Sequence, residues 1–69
     1  MFVNENDNDR SRLLAEVDLT RERIKSAENM LNYTYEPELV ESAILEIESA
    51  RKRYNYLLKK IKQYSSEEL

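Results

Sequence analysis

Two groups of residues in this chain have types and spacings that could do chemistry. The first is carboxylates, with Glu38 and Glu41 three apart and Glu46 and Glu48 two apart. Paired carboxylates work as acid and base, or hold a divalent cation, when a pocket sets their environments apart. Here they fall in a stretch that reads as solvated helix, where residues two apart do not even share a face. The chain has no His, no Cys and no Gly. The usual neutral-pH base, thiolate nucleophiles and ligands, disulfides and glycine-rich phosphate loops are therefore excluded together. No nucleophile–base–orienter set and no imidazole-completed metal site can be drawn. The expectation is a protein that is not an enzyme, with no catalytic, cofactor-binding or metal residue and no small-molecule substrate.

The second group is RKRYNYLLKK at 51–60, with cations around two tyrosines. Arg51, Lys52, Arg53, Lys59, Lys60 and Lys62 could contact phosphates while Tyr54 and Tyr56 stacked on bases, as in a nucleic-acid strip. Against that stand a net charge of −3 and the spacing of the rings, which cannot share one helix face. The same cations suit the C-terminal end of a helix dipole and an acidic neighbouring segment. Nucleic-acid binding through this half of the second helix is the alternative function.

The elements that would position these residues are two helices. At 69 residues, 41% apolar and 36% charged, the chain makes one small domain. No apolar run approaches the ~18 to 20 residues of a membrane span, and the acidic MFVNENDND start is unlike a signal peptide. A cytoplasmic protein is expected. Residues 1–8 read as a disordered arm, and Asp7 or Asp9 as the cap of a first helix over 9–33. Leu13, Val17, Thr20, Ile24, Ala27 and Leu31 form its heptad seam, with one polar member. A turn at 34–36 precedes Pro37, which suits the first turn of a helix. Across the second helix, 37–64, Val40, Ala43, Ile47, Ala50, Tyr54, Leu57, Ile61 and Tyr64 alternate steps of three and four without a miss. Residues 65–69 read as a polar tail.

Folding at the turn pairs positions whose numbers sum to about 71, so that Leu31 meets Val40, Ile24 meets Ile47 and Val17 meets Tyr54. The basic run 51–62 then lies beside Asp9, Glu16 and Asp18, and acidic 36–48 beside Arg21, Arg23 and Lys25. Each such surface pair contributes roughly 0 to 1 kcal/mol, so charge selects orientation more than it stabilises. The fold class is all-α: a two-helix antiparallel hairpin, coiled-coil-like.

A hairpin buries one stripe per helix, and cores this small rarely supply more than ~3–5 kcal/mol. Yet Leu14, Met30, Leu39, Ile44 and Leu58 flank the seam, with Leu19, Leu45 and Tyr56 further out. The surplus implies a second interface, closing a four-helix bundle as a homodimer or docking on another protein. Leu39, Ile44, Tyr56 and Leu58 are its candidate residues.

Three stretches carry a resemblance: N-Y-x-x-x-P-E-L-V-E from Asn32, I-L-E-I-E-S-A from Ile44 and K-R-Y-N-Y-L-L-K-K-I-K from Lys52. Together they resemble the YaaL-like family of small Gram-positive bacterial proteins, over about 13–62. The family's usual pattern is D-P-E-L-I-D, then I-Y-E-L-N-A-A and R-Y-x-Y-L-L-K-x-A-K. Glu36 stands in place of the turn Asp, a weaker cap, and Leu45 where Tyr is frequent. The resemblance implies a helical fold and a bacterial cytosolic setting, with no activity, because the family's function is unknown. Helical-hairpin phosphatases of sporulation regulators share the size, but their Ser-Gln-Glu-Leu-Asp run has no counterpart in Leu45-Glu46-Ile47-Glu48-Ser49.

Overall fold

The computed structural model describes the backbone of residues 5–67 and the side chains of residues 9–64. Two helices, α1 (Glu5–Tyr33) and α2 (Pro37–Glu67), pack against each other as an antiparallel hairpin. With neither Gly nor a second Pro in the chain, each helix runs unbroken.

Both helices are longer than the apolar pattern indicates. Helix α1 starts at Glu5 and α2 ends at Glu67. Residues 5–8 and 65–67 are therefore helical instead of belonging to a disordered arm and a polar tail, whereas 1–4 and 68–69 lie outside the described residues. Asp7 and Asp9 sit inside α1 and are not its caps. The reason is that an Asn- and Asp-rich segment has no apolar period to announce a helix. Its carboxylates nonetheless suit the positive end of the dipole once the chain behind is helical. Asp9 instead ties the two helices together, its Oδ2 accepting from the Tyr64 hydroxyl at 3.3 Å.

The turn occupies 34–36, as the spacing indicates. Glu36 is the N-cap residue of α2, its carbonyl accepting from the Val40 amide at 2.9 Å. The Thr34 hydroxyl accepts from the Glu36 amide at 3.3 Å, folding the three-residue link on itself. Pro37 follows at the first helical position, where its missing amide proton costs nothing.

The predicted register holds. Glu16 with Arg53 and Asp9 with Tyr64 sum to 69 and 73, on either side of 71. Every seam position named above is buried or half-buried. Their burial is uneven in a way that matters below. Leu13, Thr20 and Ala27 on α1 and Ala43, Ala50, Leu57 and Tyr64 on α2 form one column (heptad d). Val17, Ile24 and Leu31 with Val40, Ile47, Tyr54 and Ile61 form the other (heptad a). The d column holds Thr20, Ala27, Ala43, Ala50 and Leu57, all buried, whereas the a column is buried only at Val17. Small residues let the helices approach along d, and among the described residues Leu57 alone is a large side chain wholly enclosed, at 1% exposure. The polar seam member is satisfied, since Thr20 Oγ1 donates to the Glu16 carbonyl at 2.7 Å.

Candidate functional site

Helix geometry determines which side of the hairpin each flank residue occupies. In an antiparallel pair, residues adjoining the a columns of both helices (heptad e) emerge on one side, and those adjoining the d columns (heptad g) on the other. The e residues are Leu14, Arg21 and Glu28 on α1 and Ile44, Arg51 and Leu58 on α2. The g residues include Glu16, Arg23 and Met30 with Leu39, Glu46, Arg53 and Lys60.

The g side is mixed: Met30 and Leu39, each 45% exposed, stand among charged residues that are internally bridged. Arg53 Nη2 donates to Glu16 Oε1 at 3.4 Å, both partly exposed. Lys60 Nζ stands 5.8 Å from the centroid of the Tyr56 ring. Tyr56, Lys60 and Tyr64 line one shallow groove with Asp9, Arg12 and Leu13. A second groove near the turn is bordered by Arg23, Met30, Ser42 and Glu46.

The a/e side is different. Ile24, Leu31, Val40, Ile47, Tyr54, Leu58 and Ile61 are half-buried there, and Leu14 and Ile44 are 47% and 44% exposed. On α2 the sequence Val40, Ile44, Ile47, Arg51, Tyr54, Leu58, Ile61 repeats the three–four alternation, with Arg51 its one charged member. It is a second apolar stripe, next to the one that holds the hairpin together.

The molecule as a whole is elongated. The radius of gyration is 16.0 Å, against roughly 11 Å for a compact chain of this length. The accessible surface is 6017 Å² at 8.3 kDa, whereas a compact monomer of that mass exposes about 4,600 Å². The excess of roughly 1,400 Å² is spread over the whole rod, since two helices that cover each other along one side leave the rest of each exposed.

The four candidate docking residues do not form one patch. Ile44 and Leu58 share the a/e side; Leu39 and Tyr56 lie toward the g side. At about 100° per residue, Tyr56 and Leu58 point about 160° apart. The residues that the flank reading missed are the a-column side chains themselves, which read as core but, Val17 apart, stay partly exposed.

The six candidate phosphate contacts do not make a strip either. At about 100° per residue, Arg51 and Lys62 point one way, Lys52 and Lys59 about 90° round, and Arg53 and Lys60 about 190° round. Arg53 is engaged by Glu16 and Lys60 lies over Tyr56. Glu38, Glu41 and Glu46 border an open surface depression with Ser42 and Leu45, and among the described residues no group of three potential metal ligands is gathered. No described helix is long and apolar enough to cross a membrane.

Comparison with known families agrees with the motif reading. Residues 3–67 match the model of the family described as "Protein of unknown function (DUF2508)". The chain belongs to that family, consistent with the YaaL-like resemblance of its PEL and RYNYLLK segments. No curated protein and no solved structure matches the chain.

Proposed function

We propose that this chain is a non-enzymatic protein-interaction module of the bacterial cytoplasm, whose a/e side packs against protein helices. The observation carrying the proposal is the second apolar stripe. Large apolar side chains, interrupted by Arg21, Glu28 and Arg51, run along one side of a rod 52 × 23 × 14 Å, and most of them stay partly exposed. Burying such a stripe against other helices is the ordinary way an amphipathic helix pair completes its core. A hairpin whose d column is mostly Ala and Thr has little other enclosed apolar volume.

The test is the double substitution Ile44→Glu and Leu58→Glu. Both positions lie off the d column, so circular dichroism should still report two helices. Association should be lost, measured as self-association and as retention of a protein from nuclease-treated lysate. Unchanged association by both readouts would show that the a/e side is not the docking surface.

A further inference from the structure

We infer that the occupant of the a/e side is a second copy of this chain, stacked face to face about a two-fold axis that runs across the helices at Ile24 and Ile47. The inference rests on the interaction reading above and adds the partner and its register.

Two symmetric ways exist to lay one hairpin's a/e side on another's. With the two-fold parallel to the helices, α1 of one copy lies on α2 of the other at matching heights. Arg21 and Arg51 are at the same height, since their numbers sum to 72, close to the hairpin register of about 71. That stacking places Arg21 over Arg51 of the second copy twice, four cations in one apolar layer. Like charges held opposite each other oppose association, and the neighbouring carboxylates Asp18 and Glu48 are equally at hand in either stacking.

With the two-fold across the helices, α1 lies antiparallel on α1 of the second copy and α2 on α2. Ile24 then sits at the centre, with Val17 opposite Leu31 and Leu31 opposite Val17 of the second copy. On α2, Ile47 meets its counterpart and Tyr54 meets Val40. The e positions bracketing Ile24 are Arg21 and Glu28. Each Arg21 therefore faces Glu28 of the second copy, and both pairs form at once. Arg51 falls opposite Ile44 of the second copy, with Glu41 and Glu48 at its rim. Apolar columns and charges agree on this arrangement and disagree on the other.

The axis at 24 lies five residues from the midpoint of α1, which spans 5–33. The rods are thus staggered by about 15 Å, at ~1.5 Å per residue. The closed ends overlap, bringing Leu14 and Leu58 against the turn of the second copy, where Tyr35 is 94% exposed.

Sedimentation equilibrium of the full chain over a concentration series tests this, using Arg21→Glu, Glu28→Arg and the two combined. Both positions are exposed surface in the single hairpin, and residues seven apart on one helix are too distant to pair within it. Each single change should weaken the dimer about tenfold, placing two like charges opposite each other. The combined change should restore it, because the pair is rebuilt between copies with its signs exchanged. A dimer indifferent to all three variants overturns the register. A wild-type monomer at every concentration overturns self-association. In that case, loss of a heterologous partner on Ile44→Glu with Leu58→Glu would show that the docking reading survives alone, and retention would show that both fail.

Discussion

Replacing Leu57 with Ala is the most severe test of how this hairpin holds together. Leu57 is 1% exposed and is the only large side chain fully enclosed among the described residues. Truncation removes about three carbons, at ~0.8 kcal/mol each for the transfer alone, or about 2.4 kcal/mol. A residual cavity would add to this, and Leu→Ala changes in cores span roughly 2–5 kcal/mol. Open neighbours such as Leu58 and Ile61, both half-buried, can collapse inward, so a value near the lower end is expected. Helix propensity works slightly the other way, since Ala is the better helix former. A loss of about 2.4 kcal/mol is about fiftyfold in the folded-to-unfolded ratio, a large share of the ~3–5 kcal/mol a core this size supplies. Urea unfolding followed by circular dichroism at fixed protein concentration reads it as a lower midpoint. Leu45→Ala is the control, at 59% exposure, and should stay within about 0.5 kcal/mol of wild type. If Leu57→Ala is as mild as Leu45→Ala, the d column is not the core and the burial argument is wrong.

Two further outcomes follow from the turn and the cations. Glu36→Asp places a strong capping side chain at the N-cap of α2 and should raise stability by about 0.5–1 kcal/mol in the same assay; no gain would mean that the carboxylate at this position does not reach the amides of the first turn. Because its cations point around about half the circumference of α2, the protein at tens of micromolar should leave labelled single- and double-stranded nucleic acid unshifted at low salt. A shift that disappears steeply with added salt would restore the phosphate-binding reading.

What can be read from the residues divides along physical lines. The seam of α2 is legible because eight apolar positions follow one period, and the register follows because the α1 seam pairs with it at every level. Thr20 stands out as polar, but the satisfaction of its hydroxyl by the Glu16 carbonyl is a matter of geometry that no sequence pattern announces. The helix ends escape the pattern because Glu5 to Asp9 and Ser65 to Glu67 are helical yet contain no apolar residue whose period could announce a helix. Flank residues are legible as a surplus and illegible as a surface. Ile44, Leu58, Leu39 and Tyr56 look equivalent along the chain, and only the hand of the helix with an antiparallel partner sends the first two to one side and the others toward the opposite one. Side-chain size is the signal that the sequence does carry: small residues gather at d and large ones at a, which is what a pair covered on one side and open on the other requires.

Whether the a/e side is covered in solution is the central question. Small-angle X-ray scattering of the wild-type chain at high micromolar concentration addresses that directly. The face-to-face pair predicts twice the 8.3 kDa protomer mass. Its rod should be lengthened from 52 Å by only the stagger of about 15 Å. A particle of single mass with a radius of gyration near 16.0 Å, unchanged on concentration, would contradict it.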